Sequence, residues 1–230
     1  MAMKDTFRFK QFAIEQQRCA MKVGTDGVLL GAWAQGGQHM LDVGTGTGVI
    51  ALMLAQRYPE ASMTAIDLDA DAVEQARQNI SASPFTDRIE VQHDAVQHFA
   101  EHAHEQGRYD AVVSNPPFFI DALKAPNRQR TMARHAVTLT YEQLAEAAAR
   151  LLSDVGELSV IVPSDYRRRM DDAALFARLF PYRVCAVSTK EEKPPRRYLL
   201  SYTKHPRPLE VTSLTIGSEP YRALTDDFYL

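Results

Sequence analysis

The stretch LDVGTGTG, Leu41–Gly48, follows a short apolar run and precedes the helix-like segment VIALMLAQR, Val49–Arg57. A glycine-rich turn between a strand and a helix lets the backbone bend sharply and approach a ligand closely. The helix start behind it offers unpaired N–H groups. The spacing is G-x-G-x-G, with Gly44, Gly46 and Gly48. The dinucleotide fingerprint wants Gly or Ala at position 49, where this chain has Val49. No G-K-[ST] follows, so the turn is not a P-loop.

Outward from that turn, strand-like and helix-like patterns alternate. Met40–Val43 and Ser62–Ile66 read as strands, and Ala70–Ser81 as a helix with Ala72, Val73, Ala76 and Ile80 on one face. Ile89–Val91 reads as a strand and Ala95–His104 as a helix. Tyr109–Ser114 is a strand, Leu144–Leu152 a helix, Gly156–Val162 a strand and Tyr166–Leu179 an amphipathic helix. Arg183–Ser188 and Tyr198–Tyr202 end the series as a strand pair expected to be antiparallel. The alternation predicts an α/β fold, doubly wound, with a mainly parallel sheet and helices on both faces. Residues 1–38 lack it and are expected to form an extension or lid on a catalytic domain of residues 39–230. Pro194-Pro195, His205–Pro208 and the tail after Gly217 read as loops.

The chain has 230 residues, 45% of them hydrophobic, and a formal charge of −3. That fits one globular domain and gives no global basic field. Cys19 and Cys185 lie far apart, which argues against a disulfide framework and a structural zinc site. No apolar stretch approaches membrane-spanning length and no signal peptide is visible, so a cytoplasmic chain is expected.

Carboxylates recur at strand ends. Asp67 follows SMTAI, where it can accept from a ribose diol. Asp94 follows IEVQH, and Asp42 lies inside the glycine stretch. So many acids suit a positively charged nucleoside better than a pyrophosphate, which favours S-adenosylmethionine over a nicotinamide cofactor. Either Asp67 or Asp94 also fits a helix N-cap.

The run VVSNPPFF, Val112–Phe119, closes another strand. Pro116 and Pro117 cannot continue a central ladder. Ligands of open α/β sheets bind at the carboxyl ends of the strands, so this loop faces the same crevice as the glycines. The Asn115 side chain and the Pro116 carbonyl offer two fixed acceptors for a planar –NH₂. Phe118 offers a face on which a base can stack. A rigid turn with a core phenylalanine accounts for Phe119 but poorly for Asn115.

VVSNPPFF with LDVGTGTGVIAL resembles the class I S-adenosylmethionine-dependent methyltransferases that modify exocyclic amines. FRFKQFAI (Phe7–Ile14), CAMKVGTDGVLLGAWA (Cys19–Ala34) and the ending DDFYL (Asp226–Leu230) resemble the bacterial tRNA(Val) adenine-N6-methyltransferase family. The resemblance implies a seven-stranded Rossmann-like sheet and methylation of the adenine beside the anticodon, with S-adenosylhomocysteine as product. It implies cofactor contacts at Lys22, Thr25, Asp42, Gly44, Gly46, Gly48, Asp67, Leu68, Asp94, Ala95 and Asn115. It implies a catalytic loop of Asn115, Pro116, Pro117 and Phe118, with no metal. The family's loop often reads NPPY; Phe118 keeps the ring and loses a hydroxyl. Thr25 or Asp26 can equally N-cap a helix over Gly27–Ala34.

Basic residues supply candidate RNA contacts: Lys124, Arg128, Arg130 and Arg134 after the loop, then Arg196 and Arg197. Arg167, Arg168 and Arg169 read as solvated charges on a helix start, and His135 gets no catalytic assignment. Ribosomal-RNA guanine N2 and protein glutamine are the competing –NH₂ substrates. Residues 1–38 are too few for the separate substrate domain either would want. A monomer without an obligatory protein partner is expected.

Overall fold

The computed structural model of the chain describes residues 6–19, 21–102, 104–116 and 139–230. Pro117, Phe118, Phe119, Lys124, Arg128, Arg130, Arg134 and His135 lie outside the described residues.

The first strands, β1 (Thr6–Arg8) and β2 (Ala13–Glu15), form an antiparallel hairpin ahead of α1 (Thr25–Trp33). The βα series then begins. It runs β3 (His39–Val43), α2 (Val49–Arg57), β4 (Ser62–Asp67), α3 (Ala70–Ser81), β5 (Ile89–His93) and α4 (Val96–Phe99). It continues through β6 (Tyr109–Ser114), α5 (Tyr141–Leu151), β7 (Leu152–Pro163), α6 (Arg167–Phe176), β8 (Phe180–Ser188), β9 (Arg197–Thr203), β10 (Glu210–Thr215) and α7 (Glu219–Thr225).

The main sheet has the order β10-β8-β9-β7-β6-β3-β4-β5. Strands β7, β6, β3, β4 and β5 pair parallel, and β9 lies antiparallel between β7 and β8. The order reverses between β3 and β6, which opens a crevice at their carboxyl ends. Two apolar clusters fill the faces. One packs α1 and α2 with residues of α3 and the hairpin, and the other packs α5 and α6 with Phe99 of α4.

The seven-stranded expectation is corrected to eight strands in this sheet among the described residues. The added β10 pairs parallel to β8 at the edge. Its pattern is mostly exposed, with only Leu214 buried, so it carries little alternation to read. The tail expected to be loop holds α7, started by Ser218, whose hydroxyl accepts from the Tyr221 N–H. The helix expected over Ala95–His104 is confined to Val96–Phe99.

The two ends of the chain meet. Phe9 stacks on Phe12 with centroids 4.6 Å apart and on Tyr229 at 6.2 Å, and the Lys10 N–H donates to the Phe228 carbonyl at 2.9 Å. The FRFKQF and DDFYL stretches therefore form one aromatic seam. The hairpin is tied inward by Asn79 of α3, only 2% exposed. Its carboxamide accepts from the Glu15 N–H and donates to the carbonyls of Glu15 and Thr47, each at 2.8 Å.

Candidate cofactor and amine site

After β3 the chain turns through Gly44 (φ 71°), Gly46 (φ 56°) and Gly48 (φ 82°). These left-handed values are costly for any residue with a Cβ, which is why the turn is glycine-rich. The loop is pinned from the neighbouring strand. Gly44 N–H and Thr45 N–H donate to the Ile66 carbonyl at 2.9 and 3.0 Å, and Gly46 N–H donates to Asp67 Oδ2 at 2.9 Å.

Asp42 holds the loop from behind. It is fully buried, and its Oδ2 accepts from the Thr45 hydroxyl at 2.7 Å and the Ala51 N–H at 3.2 Å. Its Oδ1 is buried without a partner. Burial raises its pKa to about 7, against the lowering effect of those two hydrogen bonds.

Two adjoining cavities open beside this loop. The larger, about 650 Å³, runs along the ends of β3, β4, β5 and β6. Gly44, Gly46, Asp67, Leu68, Asp94, Ala95, Asn115 and Pro116 all line it. The smaller, about 310 Å³, lies between the Gly44–Thr47 turn and the segment Lys22–Gly27, and Asn115 also borders it. Thus Lys22 and Thr25 stand opposite the glycine turn. Among the described residues, Asp42 and Gly48 are on neither wall. Asp42 braces the turn, and Gly48 begins α2.

Asp67 Oδ1 accepts from the Asp69 N–H at 2.9 Å, so both its oxygens face backbone donors as well as the cleft. Burial raises its pKa. Asp94 accepts from the Ala95 N–H at 2.8 Å and meets His98 Nδ1 at 2.9 Å. Neither residue is the cap of the helix that follows; those positions are Asp69 and Ala95. The α1 start is likewise Gly24, without a side-chain cap, and Asp26 instead takes the Arg197 guanidinium at 2.8 Å. Arg197, expected to meet RNA, is thus engaged beside the smaller cavity, while Arg196 spends its N–H on the Val187 carbonyl at 2.8 Å.

The walls carry Asp67, Asp69, Asp94 and Glu101 in the larger cavity and Asp26 in the smaller, with Lys22 the one Lys or Arg among the described lining residues. This field favours a cationic nucleoside over a pyrophosphate. Asn115 completes the site. Its Oδ1 is buried and has no hydrogen-bond partner among the described residues, an arrangement that costs free energy unless a ligand donor arrives. The donor set and the free acceptor fit S-adenosylmethionine together with an incoming amine.

Sequence reasoning missed Asn79, Ser114 and the pair Asp26–Arg197, because each acts through contacts distant in sequence. It also passed over His98 and His102, whose i,i+4 spacing was the available signal. Arg167, Arg168 and Arg169 pair with Asp171, Asp172 and Glu142, in keeping with a surface role.

Residues 23–180 match the family model described as methyltransferase small domain. A tRNA1(Val) (adenine(37)-N6)-methyltransferase of Phocaeicola vulgatus is 47% identical over 97% of both chains. One of the same name from Trichodesmium erythraeum is 43% identical, again over 97% of both. Among solved structures, a predicted O-methyltransferase of Agrobacterium tumefaciens superposes with a TM-score of 0.69 at 20% identity, covering 88% of this chain and 96% of its own. A geranyl diphosphate C-methyltransferase of Streptomyces coelicolor, in complex with S-adenosyl-L-homocysteine, has a TM-score of 0.55 at 13% identity, covering 77% and 75%. These structures share the fold. With the full-length relatives beside them, the chain belongs to the methyltransferase small domain family and, within it, to the tRNA1(Val) (adenine(37)-N6)-methyltransferases.

Proposed function

We propose that this chain transfers a methyl group from S-adenosylmethionine to the exocyclic N6 of adenine 37, beside the anticodon of a valine tRNA. The observation that carries the chemistry is the unpartnered Asn115 Oδ1 at the junction of the two cavities. The full-length relatives carry the substrate.

Bound S-adenosylmethionine would supply an electrophilic methyl on a sulfonium. Asp67 and Asp94 would hold the adenosine end, and Lys22 and Thr25 would close over the amino-acid end. Asn115 Oδ1 and the Pro116 carbonyl accept the two hydrogens of the amine. Accepting both would draw the nitrogen lone pair out of conjugation with the ring and turn it toward the methyl group that the cofactor would supply. Transfer to the amine would release the cofactor as its thioether, S-adenosylhomocysteine, and one proton to solvent. Positioning and electrostatics therefore carry the rate, without a general base.

Phe118 is assigned the stacking face for the base from its place in the sequence. Lys124, Arg128, Arg130 and Arg134 are assigned phosphate contacts that bring the loop nucleotide to the cleft. Arg196 remains a candidate on the same grounds. The substrate sets the compartment as the cytoplasm. The same reading takes the chain as a monomer without an obligatory protein partner.

The test is methyl transfer from labelled S-adenosylmethionine to unmodified bulk tRNA, followed by nucleoside analysis. Label in N6-methyladenosine is expected. Label in guanosine, or transfer only to a protein glutamine, would replace this substrate with one of its rivals.

A further inference from the structure

Beside the cleft, three side chains converge that the methyl-transfer chemistry does not use together. Asp94 follows β5 directly, His98 lies on α4 and His102 comes just after that helix. One ligand atom from each lies within 4.8 Å of the other two. His98 Nδ1 already meets both Asp94 oxygens, at 2.9 and 3.1 Å. A metal bound at about 2.0–2.2 Å by nitrogen and carboxylate oxygen sets tetrahedral ligand atoms about 3.3 Å apart. The Asp94–His98 edge is therefore close to a metal-ligand edge without rearrangement. The His98 and His102 rings sit edge to face with centroids 4.8 Å apart, which keeps the third ligand atom within 4.8 Å of the other two.

We propose that Asp94, His98 and His102 form a binding site for a borderline divalent cation of the Zn²⁺ type, and that the cation competes with the cofactor. Two imidazoles and one carboxylate are a Zn²⁺ ligand set, with the fourth position left to water. His98 is exposed and the other two half-buried, so an ion enters from solvent. Glu101 lies on the same wall and adds negative potential. The competition follows from geometry. Asp94 and His98 both line the larger cavity, so an ion there takes the carboxylate from the cleft and narrows its entrance. Competition rests on the cofactor assignment above; binding does not.

Binding is measured first, by calorimetric titration of EDTA-treated full-length chain with ZnCl₂ in the absence of cofactor. One Zn²⁺ per chain is expected, and Mg²⁺, which prefers oxygen ligands, gives no saturable heat at the same concentrations. His98→Ala with His102→Ala should abolish the binding while circular dichroism stays unchanged. Saturable binding that survives in this double variant, or none in the parent chain, overturns the site. Competition is then read as the S-adenosylmethionine Kd. Saturating Zn²⁺ should raise it about tenfold in the parent and leave it unmoved in His102→Ala, whose altered residue is off the cleft wall. Zn²⁺ binding with an unmoved cofactor Kd keeps the metal site and overturns the competition.

Discussion

The Ser114 hydroxyl donates to the Val43 carbonyl at 2.8 Å, joining the last residues of β6 and β3. The next residue on each strand is functional: Asn115 on one side and Gly44 on the other. With the parallel β3–β6 ladder, this buried bond holds the amine acceptor beside the glycine turn. Ser114→Ala removes this buried hydrogen bond, at a cost of about 1 kcal/mol. Turnover should fall further than cofactor affinity, as steady-state kinetics set beside calorimetry would show.

Asn79, itself buried, joins the N-terminal hairpin to the glycine turn through three hydrogen bonds. Asn79→Ala should destabilise the fold by about 2–3 kcal/mol in urea unfolding. Cofactor affinity should fall with it, because Thr47 loses its tether. A chain of unchanged stability would show that the hairpin docks by its aromatic seam alone.

Asp42 gives a pH signature. Its pKa is raised by burial to about 7 in the folded chain, so the proton is bound more tightly folded than unfolded. The associated stability is fully present below the unfolded value of about 4 and is lost as pH rises toward 7 and above. Asp42→Asn mimics the neutral acid toward Thr45 and Ala51. Between about pH 4 and pH 8 the melting temperature of the parent should fall relative to that of Asp42→Asn. Parallel curves would remove the assignment of a neutral buried carboxyl.

Arg197 fixes Asp26 at the mouth of the smaller cavity. The pair is part-exposed, so Arg197→Ala should change stability by no more than about 1 kcal/mol. Cofactor affinity should weaken several-fold. A weakened tRNA affinity with normal cofactor binding would return Arg197 to the RNA face.

The fold was legible because the central βα units carry dense local signals. The bounds of α2, α3 and β6 agree with the sequence pattern to the residue. The pattern lapsed where burial is one-sided or slight, as in β10, or where tertiary contacts replace periodicity, as in the β1–β2 hairpin. At the site, glycines and strand-end acids announced themselves. Asp42 did not reveal its side, because a strand residue points to the cleft or to the core according to register. The partners Asn79, Ser114 and Arg197 lie 64, 71 and 171 positions from Glu15, Val43 and Asp26.

The most direct measurement is the turnover of Asn115→Ala at saturating cofactor and tRNA, with the S-adenosylmethionine Kd determined on the same preparation. Loss of one positioned acceptor should lower kcat by about 10²-fold or more and leave Kd within about threefold. Normal kcat with intact cofactor binding would contradict the account, since the buried Asn115 oxygen would then have no part in holding the amine.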